Sequence, residues 1–202
     1  MDIKEHILTE TDKLFCRYGI KSVTMDDIAR QLGISKKTIY QFFKDKNELV
    51  QVLIAGRMEL QECAIDVSIK NSENAVEEIF SSVTEMKQLL SNTNAMLFYD
   101  LQKYHPEVWN IFKKFKDTKL KEAIRSNLER GIHENLFRSD INIDILTRLR
   151  LEQVERVLSG MYMTNDYSLV EVMTEITEHF LYGVCSLKGH QLLNEYRNTN
   201  EN

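Results

Sequence analysis

From Ser22 to Lys46 the chain reads SVTMDDIARQLGISKKTIYQFFKDK, and the polar residues of this stretch recur at spacings suited to an anionic polymer. If residues 35–42 are helical, Ile39, Phe42 and Phe43 stand at i, i+3 and i+4 and turn inward. Lys36, Lys37, Tyr40 and Gln41 then share the opposite, outward face. A helix fits the major groove of duplex DNA, where lysines serve phosphates and Tyr and Gln can reach base edges or a thymine methyl. Lys44 and Lys46 fall where a further helix begins. There the free amides and the helix dipole favour an anion, so the pair is expected to clamp a phosphate. The competing account is an ordinary solvated helix face. A surface for protein contact would carry apolar residues at these outward positions and would have no need of Lys44 and Lys46.

Other reactive side chains form no comparable constellation. Cys16, Cys63 and Cys185 are odd in number and far apart, which predicts no disulfide framework or zinc site and suits a reducing cytoplasm. Glu175/His179 and His6/Glu10 each offer two metal ligands at most, so no metal or other cofactor is expected. Acid pairs such as Asp26/Asp27 and Glu77/Glu78 fall at helix starts, where they complement the dipole. No nucleophile elbow, P-loop, dinucleotide fingerprint or H-E-x-x-H occurs, and no catalytic residue is assigned. The chain is read as a non-enzyme.

The elements that must position these residues are helices. The chain has 202 residues with seven glycines and one proline, too few turn formers for a sandwich or a doubly wound sheet. Apolar residues recurring every three or four positions predict an all-α protein. No apolar run is long enough to span a membrane, and the first residues lack the features of a signal peptide. The net charge of −5 is unevenly spread. Residues 1–46 hold nine basic and seven acidic side chains, a net +2, and the other 156 hold 17 and 24, a net −7. A mildly basic head on an acidic body places an anionic partner at the head.

Helix boundaries follow from caps and breakers. The expected helices are Asp2 to Tyr18, stopped by Gly19; from Thr24 to Gly33, opened by the box Thr24-Met25-Asp26-Asp27; and Ser35 to Phe42. A capping box at Asp45-Lys46-Asn47-Glu48 opens a long helix to Lys70. Further helices run from Asn74 to Leu90, from Ala95 to Tyr104, and from Pro106 to Ile132. Two long ones follow, Asn142 to Met163 and Ser168 to Lys188, with a frayed polar tail from Asn194. This divides the chain into a three-helix DNA-binding head, residues 1–46, and a six-helix body, residues 47–202.

Gly19, Val23-Thr24-Met25-Asp26-Asp27-Ile28-Ala29, Leu32-Gly33-Ile34-Ser35, Thr38-Ile39-Tyr40-Gln41-Phe42-Phe43 and Lys44-Asp45-Lys46-Asn47-Glu48-Leu49 keep an order and spacing that closely resembles the head of the TetR (tetracycline-repressor-like) family of bacterial transcription regulators. The resemblance covers about 45 residues, and the helix plan of the body fits it. It implies a homodimeric repressor that binds a palindromic operator and is released by a small effector. It also implies that Thr24 touches a backbone phosphate, that Lys36, Lys37, Thr38, Tyr40 and Gln41 face the groove, and that Lys46 holds a phosphate. Where many members carry Gly or a small residue this chain has Lys37, and where a His or Tyr is usual it has Gln41 or Phe42. No relative's operator can therefore be carried over. The alternative is an all-α small-molecule-binding or protein-interaction module whose helix-turn-helix does not bind DNA.

The body extends this reading. Its last two helices carry apolar residues on more than one face, as burial on two sides requires, so Leu149, Val157, Met161, Met173, Ile176, Phe180 and Val184 are expected at a twofold four-helix interface. Met86, Met96, Phe98, Tyr99, Tyr104, Trp109 and Phe112, with Leu90 and Phe115, are expected to line a cavity for an apolar or aromatic effector. In the family, movement near His105-Pro106 against the fourth helix alters the spacing of the two heads.

Overall fold

The computed structural model describes residues 2–159 and 167–200. These form α1 (Ile3–Tyr18), α2 (Met25–Leu32), α3 (Lys36–Tyr40), α4 (Lys46–Asn71), α5 (Ala75–Ser91), α6 (Met96–Tyr104), α7 (Pro106–Phe115), α8 (Lys121–His133), α9 (Ile143–Leu158), α10 (Leu169–Val184) and α11 (Leu187–Asn200). A π turn, Lys116–Leu120, joins α7 to α8 without a break. Among the described residues the only strand-like pairing is one bridge between Phe137 and Cys185. The protein is all-α with a helix-turn-helix head, as the composition and periodicity predict.

Local chemistry explains the boundaries. Thr24 Oγ1 accepts from the Asp27 amide at 3.2 Å while Asp27 Oδ2 accepts from the Thr24 amide at 2.9 Å, closing the expected capping box on α2. Gly33 ends that helix at φ 66°, a left-handed conformation that costs glycine little. The amides of Gly33 and Ile34 then reach the Arg30 and Ala29 carbonyls at 3.3 and 3.1 Å, the Schellman pattern. Only half of the box expected on α4 forms. Asp45 accepts from the Glu48 amide at 2.9 Å, whereas the Glu48 carboxylate turns to the Lys44 amide.

Two body boundaries differ from the periodicity reading, so the expected six helices become eight among the described residues. The helix from Pro106 contains the π turn, whose extra residue keeps Trp109, Phe112 and Phe115 on the same inner side as Leu120, Ile124 and Leu128. The final helix breaks at Cys185, which is extended at φ −65°, ψ 143°. Here the connector after α8 intervenes: Arg138 donates to the Val184 carbonyl and Ser186 to the Leu136 carbonyl, each at 2.9 Å. Ser186 Oγ then accepts from the Gly189 amide at 3.2 Å and starts α11. The segment after Cys185 thus carries a buried Leu193, and the tail expected to be frayed from Asn194 carries a Tyr196 that stacks on Phe80 of α5, ring centres 5.6 Å apart.

The buried side chains fall into two clusters. One begins in the head with Ile7, Phe15, Ile28, Ile39 and Phe43 and continues through α4 to Leu97, Trp109, Val154 and Met173 in the body. The other joins α5, α8, α10 and α11 around Val76, Leu128, Phe137, Leu181 and Leu193.

Candidate nucleic-acid interface and effector cavity

The five residues of α3 are held by the fully buried Ile39 and, one turn later, by Phe43. Ser35 caps the helix by accepting from the Thr38 amide at 3.1 Å. Opposite the buried pair, Lys36, Lys37, Tyr40 and Gln41 are exposed, Tyr40 to 44%. The inward and outward faces are those the spacing predicts. Among the described residues Lys37 has no carboxylate within ion-pair distance, whereas Lys36 reaches Asp26 of α2 at 2.8 Å and is held above the ordinary lysine value by that contact. Thr38 is half-buried, its hydroxyl 2.8 Å from that of Ser35. Thr24 is exposed, but its hydroxyl is engaged in the α2 cap.

Lys44 and Lys46 do not form the matched pair expected. Lys44 is exposed. Lys46 is half-buried and turns back over α1, its ammonium donating to the Ile20 carbonyl at 2.5 Å and standing 5.8 Å from the Phe15 ring centre. Burial holds it below the ordinary lysine value. Its stem is long enough to cross the first core cluster, a path that spacing along the sequence does not reveal.

Behind the head, α6 forms the seam with the body. Asp100, almost fully buried, accepts from the Lys21 amide at 2.7 Å, and the Asn94 amide donates to the Cys16 carbonyl at 2.6 Å. Lys21 also donates to the Tyr104 hydroxyl at 2.8 Å. At the other end of α6, His105 Nδ1 donates to Asn47 Oδ1 at 2.7 Å. Burial, and then the nearby Lys46 charge, hold His105 below its ordinary value of 6.5, with Asp100 acting the other way. A base lowered by folding is protonated first in the unfolded chain. The seam therefore has its full stability above about pH 6.5 and loses it as pH falls through that value toward the folded one. Between pH 7 and pH 5.5 the melting temperature of the wild type should fall further than that of His105→Gln. Equal falls would remove His105 as the cause.

A cavity of about 200 Å³ lies among α4 to α10. Met86, Leu90, Phe98, Trp109, Phe112 and Phe115 line it as expected. Met96, Tyr99 and Tyr104 do not: α6 turns Leu97, Phe98 and Leu101 to the cavity and these three away. Met96 packs beside Gly19, Tyr99 accepts from Lys103 at 2.7 Å, and Tyr104 serves the seam. The wall also takes Ile54, Met58 and Ile65 from α4, whose apolar residues signalled burial without signalling what they face.

The expected dimer residues divide in the same way. Met173 and Phe180 line the cavity, while Val157 and Val184 are buried in the protomer's own core, so none of these four is open to a partner. Leu149 is 48% exposed and Ile176 half-buried, and Ile145, one turn before Leu149, is 62% exposed. Met161 lies outside the described residues. No described helix is long and apolar enough to cross a membrane.

Comparison with known proteins agrees with this geometry. The sequence profile described as "Bacterial regulatory proteins, tetR family" matches residues 7–53, which span the head and the start of α4. An uncharacterized HTH-type transcriptional regulator of Bacillus subtilis, YvaF, is 26% identical over 184 residues, covering 90% of this chain and 95% of that one. A TetR-family regulator from Agrobacterium tumefaciens superposes with a TM-score of 0.71 at 19% identity, over 91% of this chain and 97% of that one. FadR from Bacillus subtilis, solved in complex with stearoyl-CoA, superposes at 0.65 and 17% identity, over 87% and 96%. With its capped α2, its left-handed Gly33 turn and its two-faced α3 in the same order, the segment 7–53 matches the DNA-binding head of the tetR family of bacterial regulatory proteins, and the chain as a whole is similar to HTH-type transcriptional regulators and shares their fold.

Proposed function

We propose that the protein is a homodimeric cytoplasmic repressor, in which residues 1–46 bind a palindromic operator and residues 47–202 dimerise and take up a small apolar or aromatic effector. The observation that carries this reading is the division of α3: Ile39 buried, and Lys37, Tyr40 and Gln41 exposed. The outward residues of α3 enter the major groove, Lys44 and Thr24 flank it on the phosphates, and Lys36 is shared between Asp26 and DNA. Lys46 contributes by holding α1 to the start of α4. Two heads, one from each protomer, present the two half-sites of the operator. Leu149 and Ile176, with Ile145, supply apolar surface to the twofold interface.

The effector acts through the seam. The α6 that turns Phe98 and Leu101 into the cavity also carries Asp100 against the Lys21 amide. An effector that prefers one placement of α6 changes the spacing of the heads, provided that its affinity differs between the two placements. That a neighbour of the same fold, FadR, was solved with stearoyl-CoA supports a body that takes small molecules.

Selection from a randomised duplex library should enrich a palindrome with two half-sites. Tyr40→Ala should then lose tenfold or more on the enriched duplex, as expected for a base contact of roughly 1–3 kcal/mol, with little loss on unrelated DNA. Equal losses on both would assign Tyr40 to backbone positioning. Failure of the folded dimer to enrich any sequence would defeat the repressor reading.

A further inference from the structure

The cavity wall is apolar except at a few points, and two of its five charged groups are already paired. Arg57 pairs with Asp12 at 2.8 Å, and Glu78 with Arg130 at 3.1 Å. Lys87 is exposed to solvent. Arg150 of α9 is different. One guanidinium nitrogen donates to Thr177 Oγ1 at 2.5 Å, and the group lies 5.5 Å from the Phe180 ring centre. Its Nη1 is sealed from solvent without an acceptor, and no carboxylate stands within ion-pair distance among the described residues. Burial lowers it to about 10, so it remains charged at neutral pH. An unpaired buried cation is costly to keep. A second donor on the same wall, Trp109 Nε1, is likewise buried without an acceptor.

We propose that the effector is an amphipathic acid, an apolar body ending in a single carboxylate that pairs with Arg150 and draws on the unused donors of Arg150 and Trp109. This rests on the reading of the cavity as the effector site and adds the chemical class of its occupant. Charge-assisted bonds to a guanidinium are among the strong ones, and they gain in a poorly solvated wall. Besides the exposed Lys87, the wall holds Glu85, a half-buried carboxyl that burial pushes upward and that has no ion pair among the described residues. A positively charged ligand would use it instead, and the test includes that case.

Trp109 is the sole tryptophan of the chain, so its fluorescence reports occupancy of the cavity. Decanoate, 1-decanol and decyltrimethylammonium carry one tail and three heads, and each is titrated into the full-length protein below its aggregation limit. Decanoate should bind at least tenfold more tightly than either of the others. Arg150→Met should erase that preference, leave 1-decanol unchanged, and raise the melting temperature of the empty protein by removing an unpaired charge. If Arg150→Met does not fold, Arg150→Gln tests the same loss. Equal affinity of decanoate and 1-decanol, or a preference that survives in Arg150→Met, would overturn the carboxylate assignment while leaving the cavity as a binding site. Tightest binding of decyltrimethylammonium would overturn it in favour of Glu85. If no probe alters either Trp109 or the melting temperature, the cavity reading falls along with the assignment.

Discussion

Gly189→Ala is expected to cost about 3 kcal/mol or more, the upper range for forcing atoms into a filled interior. A Cβ at this position would lie 2.0 Å from the Leu136 carbonyl oxygen and 3.2 Å from the Cys185 Cβ. The oxygen has little freedom to retreat, since it accepts from the Ser186 amide at 2.9 Å and belongs to a connector pinned again at Val184. Leu136 and Phe137, on that connector, are both buried in the second cluster. Chemical denaturation monitored by helicity measures the loss, and a change below 1 kcal/mol would mean that the approach of α11 to the connector is looser than described. Gly56 in α4 serves as the control. A Cβ there meets nothing within 4 Å, so Gly56→Ala should stabilise the helix by roughly 0.5–1 kcal/mol. Opposite signs for the same substitution would separate close approach from helix propensity.

The second large effect belongs to the seam. Asp100→Ala removes the acceptor from the Lys21 amide and should cost about 2 kcal/mol, the usual range for a hydrogen bond to a charged group. Asp100→Asn keeps an oxygen in the same place and should lose less than half as much. Beyond stability, Asp100→Ala should weaken the response of DNA binding to a cavity ligand more than it weakens DNA binding itself, since the head keeps its own buried residues. A variant that melts like the wild type would show that α6 is not held to the head through this carboxylate.

The head was readable because its signals are local. Thr24 and Asp27, Gly33, Ser35 and the alternation of faces in α3 are all settled within a few residues, and the structure repeats them nearly position by position. The body was readable only as helices. Periodicity identifies an apolar face but not what covers it, so Met173 and Phe180 were expected at a partner and instead line the protomer's own cavity. The same ambiguity put Tyr99 and Tyr104 of α6 into the cavity wall, although their hydroxyls are taken by Lys103 and Lys21. Arg150 gave no sequence signal at all. On a helix with charged residues at 148, 152, 155 and 156, one more arginine looks like solvent-facing charge until Thr177 and Phe180 are seen around it. The break at Cys185 was hidden for a related reason, because its cause lies some fifty residues earlier, in the connector at Leu136 and Arg138.

The first buried cluster crosses the boundary between head and body, and this has a thermodynamic meaning. The α3 proposed to read DNA is only five residues long, too short to persist alone, and its anchors Ile39 and Phe43 are continuous with Leu97, Trp109 and Met173. On this continuity, the unit expected to open and close cooperatively is neither the head nor the body alone but this shared interior. Any molecule that fills the space beside Trp109 raises the free energy of opening around Ile39 as well. In the proposed repressor, occupancy would reach the outward face of α3 as a change in how often it frays, in addition to any change in where it stands.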